Sequence, residues 1–336
     1  MGVVDGGWSS EVIRLAVWLS GQVSFEQAAE VLRQVGQVEM SASSIWRRVE
    51  KWGNALLAVE DEERRRANAV PSREQPQAGE GKHNQPMGFS LDGWMLNIRG
   101  EGWKEVKSAS IFEVEQREVT DSKTGETVER AIATAMSYIA HLGGPGVLGE
   151  KLWTEGMRRQ LHTAYEKACI SDAAAWIWSL CLDYFPETEQ IVDWYHALQH
   201  LHAAAMALYG DTLDRANHWV EAHTTTLFQG HAARIAQDLD KLAANHTGEQ
   251  AKKLQEQAGF FRNHQRRMRY LDYREQGWPI GSGTIESGCK QFQSRMTGPG
   301  MRWSRSGAQR MLAIRATILS HRFHERWRAL QNSPAF

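Results

Sequence analysis

Apolar positions along the chain fall into three regimes. In the first, Val12, Leu15, Ala16 and Leu19 lie at helical spacing, as do Phe25, Ala28, Ala29, Leu32 and Val35. Ser24, with Gln27 three residues on, has the form of a capping box, and Gly36 closes the second stripe. A third helix is predicted from Ser41–Ser44, with Ile45, Val49 and Trp52 inward. Three short helices with a glycine-bearing turn before the last fit either a helix-turn-helix or a plain helical bundle. Glu60–Arg66 reads as a charge run on the exposed end of that helix, and the Pro- and Gly-bearing stretch Ala67–Gln85 as a linker.

The second regime reads as strands. Met87–Leu91 is an apolar run ending in Asp92, and Trp94 and Leu96 alternate with smaller or polar neighbours. A glycine turn, Arg99–Gly102, follows, and two further strands are predicted at Lys104–Glu118 and Thr127–Tyr138, joined by Lys123-Thr124-Gly125 turn chemistry. Next come a helix over Val147–Tyr165, a buried strand at Ala168–Ser171, a helix over Ala173–Phe185 and a strand at Gln190–Trp194. Three antiparallel strands and then helix–strand–helix–strand is the RNase H-like order, an α/β mixed sheet with helices on both faces. In the third regime, helical periodicity over Ala197–Tyr209, Leu213–Thr225, Gly230–Leu242 and Gln250–His264 predicts an all-α insertion. The expected divisions are a helical DNA-binding segment at 1–66, a linker at 67–86, the first part of the core at 87–196, the insertion at 197–276 and the last part of the core at 277–336.

A length of 336 residues with 42% hydrophobic and 24% charged residues is that of a globular protein with a substantial core. Cys169, Cys181 and Cys289 lie far apart, which argues against a zinc ribbon or disulfide scaffold and for a reducing compartment. No apolar run approaches a membrane span of about 20 residues, so a cytoplasmic location is expected. The net charge of −1 gives no hint of a polyanionic partner, but its distribution does. Between Arg262 and Arg328 arginine dominates, and the acids are only Asp272, Glu275, Glu286 and Glu325. Arginine forks suit phosphate, which makes Arg295, Arg302 and Arg305, with Lys290, candidate DNA contacts. In the helix-turn-helix reading, Ser43, Ser44, Arg47, Arg48 and Lys51 face a groove or the phosphates.

Three acidic residues stand in marked places. Asp92 ends an apolar strand, Asp172 follows the short run KACIS, and Glu286 opens a basic helix after PIGSGT. A carboxylate on an apolar strand is costly unless a cation compensates it, although an Asp-Gly pair can simply start a turn. The blocks LDGWMLNIRGEGWKEVK, SDAAAWIW, IVDWYHALQHL, IGSGTIESGCKQF and GMRWSRSGAQRML resemble, in the same order, the motifs of bacterial insertion-sequence transposases of the ISKra family, relatives of the Mutator-like DDE transposases. The resemblance implies that Asp92, Asp172 and Glu286 are a DDE triad holding Mg²⁺ or Mn²⁺, two ions in all. It further implies action on double-stranded DNA, at the element's terminal inverted repeats and at a target, as a homodimer or larger synaptic complex in the bacterial nucleoid. Lys290, one turn beyond Glu286, would touch the backbone. Ala173 departs from the family, which has glycine after the second aspartate. Asp193 and His196 resemble the (C/D)xxH motif of the relatives; with His200 one turn on, they offer a metal site or a structural role. The tryptophans read mainly as core, with Trp278 and Trp303 as candidates to stack on a base. A catalytically impaired, transposase-derived DNA-binding protein and an RNase H-like nuclease without strand transfer are the alternatives.

Overall fold

The computed structural model describes residues 3–4, 7–69, 85–120, 125–210 and 212–332. Most of the expected linker and the Lys123–Thr124 portion of the expected turn lie outside them.

The apolar stripes near the N-terminus become α1 (Ser10–Ser20) and α2 (Phe25–Gln34). Ser9 caps α1 by accepting from Val12 N, and both halves of the Ser24–Gln27 capping box are formed on α2. The third helix, α3 (Ala42–Ala69), runs for 28 residues; its buried stripe Ile45, Val49, Trp52, Leu56 covers the first half, and the charged second half is held by ion pairs. Gly53 sits inside it where the Arg310 side chain crosses; a Cβ there would come within 2.8 Å of Arg310.

The sheet has five strands: β1 (Met87–Ile98), β2 (Gly102–Thr120), β3 (Thr127–Leu142), β4 (Lys167–Ser171) and β5 (Glu189–Val192), in the order β3-β2-β1-β4-β5. The β1–β2 and β2–β3 pairs are antiparallel, and β1–β4 and β4–β5 are parallel. The first turn falls where expected, with Gly100 and Gly102 at φ of 78° and 73°. Asp92 and Gly93 stay inside β1, paired with Ser108 and Lys107, so they do not form a turn.

Helices cover both sheet faces. On one lie α4 (Pro145–Arg158) and α5 (Ala175–Tyr184), with the all-helical stretch α6 (Trp194–Tyr209), α7 (Leu213–Phe228), α8 (Ala232–Ala244), α9 (Gly248–His264) and α10 (Tyr270–Glu275) continuing the same apolar cluster. Trp194 was expected to end a strand but opens α6, because Asp193 caps that helix. On the other face lie α11 (Gly283–Met296), α12 (Arg305–Leu319) and α13 (Phe323–Gln331). The apolar residues of α1–α3 join this second cluster: Trp52 lies 5.0 Å from Phe323 and 5.5 Å from Trp327.

The charge run at the end of α3 is the solvated face expected of it only in part: Asp61, Arg65 and Arg66 are exposed, but three of its charges reach other helices. Glu60 pairs with Lys151 at 3.0 Å, Glu63 with Arg326 at 2.7 Å, and Arg64 with Glu150. No helix among the described residues is long and apolar enough to cross a membrane.

Candidate active site

Asp92 and Asp172 meet because their strands are neighbours. The parallel pairing sets Met87–Phe89 against Lys167–Cys169, and the same register carried forward places Asp92 beside Asp172. Ser171 fixes the junction, its buried Oγ accepting from Leu91 N at 2.7 Å. Glu286 arrives on α11, which packs against β1 and β2. Gly288 permits this close approach: a Cβ there would come to 2.5 Å from the Tyr138 ring. Thr284 in the first turn of α11 meets Ser110 of β2 at 3.3 Å.

The electrostatics record the convergence. Burial, with the negative charges of Asp172 and Glu286, pushes the Asp92 carboxyl above its usual range, against hydrogen bonds from Gly93 N–H and the Cys289 thiol. Burial, together with the Asp92 carboxylate alongside, likewise pushes the Cys289 thiol well up. Cys289 was missed in the sequence as a neighbour of the acidic cluster. Its signal was its position three residues after Glu286, which puts both on one helical face.

Oxygen donors crowded at one end of two strands suit Mg²⁺ or Mn²⁺ in type. The third arm is placed differently: Glu286 Oε1 accepts from Lys290 Nζ at 2.5 Å, along its own exposed helix surface. Among the described residues no three His, Cys, Asp or Glu side chains stand close enough to hold a metal ion. Asp92 and Asp172 supply donors of that type, while Glu286 is turned to Lys290.

Ala173 needs no glycine-like backbone. Positive φ among the described non-glycine residues occurs at Gln37, Ala135, Gln160 and His321, not at Ala173. Asp172 Oδ1 accepts from Ala174 N at 3.0 Å and fixes the turn into α5.

Asp193 is structural. Its Oδ1 accepts from His196 N at 2.6 Å, and its Oδ2 from Ser282 N at 2.5 Å. Both oxygens are thus taken by backbone N–H groups, and the carboxylate ties the glycine loop before α11 to the end of β5. His200 stacks on Phe260 at 3.4 Å and shares a hydrogen bond with Gln257 at 2.6 Å; His196 contacts Gln199 at 3.3 Å. The reading of Asp193, His196 and His200 as a metal site is therefore set aside.

On α3, Ser43, Arg47 and Lys51 are exposed, and Arg47 Nε donates to Ser43 O at 3.2 Å. Ser44 is half-buried beside Ser41 at 3.0 Å, and the Arg48 guanidinium lies 5.1 Å from the Trp8 ring. Lys290 and Arg302 are exposed; Arg305 is exposed but paired with Glu101 at 2.6 Å. Arg295 does not belong with them. It is 2% exposed, donates from Nε to Ser20 O at 2.6 Å and lies between the Phe25 and Trp303 rings, so its expected contact with DNA is withdrawn. Trp278 and Trp303 are also buried and unable to stack on a base as placed; Trp46 and Trp103 are exposed instead.

No family model matches this chain, and no curated protein matches its sequence.

Proposed function

We propose that the chain is a DDE-type transposase that binds the terminal repeats of its own element and carries out metal-dependent DNA strand cleavage and strand transfer. The observation that carries this reading is the placement of Asp92 on the central strand, in register with Asp172 and under the helix that bears Glu286. The strand order β3-β2-β1-β4-β5, with β2 antiparallel to its neighbours, supports an RNase H-like core. The five motif blocks support the same assignment.

Asp92 and Asp172, with Glu286, would hold Mg²⁺ or Mn²⁺, which when bound supplies Lewis-acid activation of the attacking oxygen and neutralises charge on the leaving one. The chain's own residues orient this set. The Cys289 thiol and Gly93 N–H hold the Asp92 carboxylate, Ala174 N–H holds Asp172, and Asp193 anchors the loop that delivers α11. Lys290, released from Glu286, would turn to a backbone phosphate. The exposed Ser43, Arg47 and Lys51 on α3 support a helix-turn-helix reading of α1–α3, with α3 against the duplex.

The contact between Glu286 and Lys290 favours a second reading, a relative that binds DNA without cutting it. One experiment separates the two. End-labelled duplex carrying the element's terminus should be cleaved in Mg²⁺ or Mn²⁺, and Asp92→Asn, Asp172→Asn or Glu286→Gln should each abolish cleavage while DNA binding persists. Binding without cleavage by the parent protein would establish the second reading, and cleavage surviving any of the three changes would remove that residue from the site.

A further inference from the structure

A groove of about 620 Å³ lies between the N-terminal helices and the loop that joins α11 to α12. Phe25 and Trp46 line it on one side, and Arg99, Arg302 and Trp303 on the other. Arg295 forms part of its inner wall. That guanidinium is 2% exposed, and its Nη2 has no hydrogen-bond partner. Its Nη1 reaches only the Met301 sulfur, at 3.8 Å, a weak acceptor. A buried donor left unpaired is costly. Burial, with the Arg315 charge nearby, lowers Arg295 to about 10, against the opposing effect of Glu26.

The surroundings favour an anion joined to a flat ring. Arg99 and Arg302 are exposed, with no acidic partner among the described residues. Glu50 is already engaged by Arg310 at 3.0 Å, so Glu26 is the acid left facing the groove. The N-terminus of α12, capped by Ser304, opens here and adds its unpaired N–H groups. Trp46 is 45% exposed, though neighbouring Ile45 and Val49 are buried in the core, so its ring is presented to the groove from a fixed helix.

We propose that this groove binds a phosphorylated nucleotide, with the phosphate between Arg302, Arg99 and the start of α12 and the base against Trp46. The assignment is independent of the three carboxylates and of strand cleavage. The same chemistry could come from a free mononucleotide or from an unpaired nucleotide of a DNA strand. Phosphate contact from arginine forks and stacking on an aromatic face are the two elements such recognition requires.

The test is calorimetric titration of the full-length protein with adenosine 5′-monophosphate, adenosine, inorganic phosphate and a single-stranded hexanucleotide. Adenosine 5′-monophosphate should bind at least about tenfold more tightly than adenosine or phosphate, because only it engages both halves of the site. Trp46→Ala and Arg302→Ala, both at exposed positions, should each weaken it by about tenfold, with folding checked by circular dichroism. A hexanucleotide that binds more tightly than the monophosphate and competes with it identifies a DNA strand as the source; the reverse order identifies a free nucleotide. Absence of saturable binding overturns the proposal. So does phosphate binding as tightly as the nucleotide, or nucleotide affinity unchanged by both substitutions.

Discussion

Two side chains near the carboxylates make opposite points about what a residue's neighbours in sequence reveal. Ala173 stands where glycine was expected, yet its backbone is outside the left-handed region and Ala174 N–H closes the turn on Asp172. Ala173→Gly should therefore leave single-turnover cleavage unchanged and cost up to about 1 kcal/mol of stability through added freedom of the unfolded chain. A cleavage rate raised several-fold by the glycine would show that the alanine does constrain the site. Asp193 was ambiguous in sequence, a metal ligand or a structural residue, because a carboxylate three residues before a histidine suits either. Its oxygens are spent on His196 N and Ser282 N. Asp193→Ala should lose an N-cap worth about 1 kcal/mol and leave Ser282 N–H unpaired at about 1–3 kcal/mol more. Urea denaturation should show a combined loss of about 2–4 kcal/mol; a loss below 0.5 kcal/mol, on the order of a neutral surface change, would mean that the glycine loop is held by other contacts.

Elements were legible where a single periodicity ruled them. The strands from Met87 to Leu142, the helices of the insertion and the capping box of α2 follow from alternation, spacing and cap chemistry, and their ends moved by only a few residues. The length of α3 was not legible, because its second half carries charges that pattern reasoning assigns to solvent. Those charges find partners on α4 and α13, distant in sequence. The same blindness applied to the arginines near the C-terminus. Arg315 donates to Gly21 O at 3.1 Å, and Arg322 meets the buried Glu155 at 3.0 Å, so much of the apparent phosphate-binding charge is internal. Two half-buried histidines, one beside this seam and one in the insertion, make stability sensitive to pH. Burial, aided by Lys151 and Arg64, lowers His141 to about 4, and burial with Arg267 does the same to His264. Each is neutral in the fold but protonates in the unfolded chain below about 6.5. The unfolded state then binds more protons, so stability falls as pH drops from about 6.5 to about 4. Burial would raise Glu155, but Arg158 and Arg322 hold it below its usual range, and its contribution drains away as pH falls through its folded value. The urea midpoint should decline over that window, and His141→Gln should flatten the decline. A midpoint that rises as pH falls would contradict neutral histidines in the fold.

At the scale of the whole molecule, both ends of the chain cover one sheet face. α1–α3 and α11–α13 share a core there, while the insertion extends the core on the other face. The strand order and the meeting of Asp92 with Asp172 were within reach of the sequence, since strand succession and resemblance pointed to neighbouring strands. The nucleotide groove was not, because it depends on how α2 and α3 approach the loop after α11. One consequence lies in α3 itself. Its 28 residues span about 42 Å, with exposed Ser43, Arg47 and Lys51 toward one end and ion pairs to α4 and α13 at the other. Under the proposed function, a rod packed into the fold along its length and meeting duplex at its exposed end would act as a ruler, setting how far along the DNA the cut falls from the sequence that is recognised. Inserting half a helical turn of duplex between the two should abolish cleavage by carrying the scissile phosphate to the far side of the helix axis, and a full turn should restore part of it. A gel-resolved series of spacer lengths reads this directly; cleavage indifferent to spacer phase would mean that the rod does not measure.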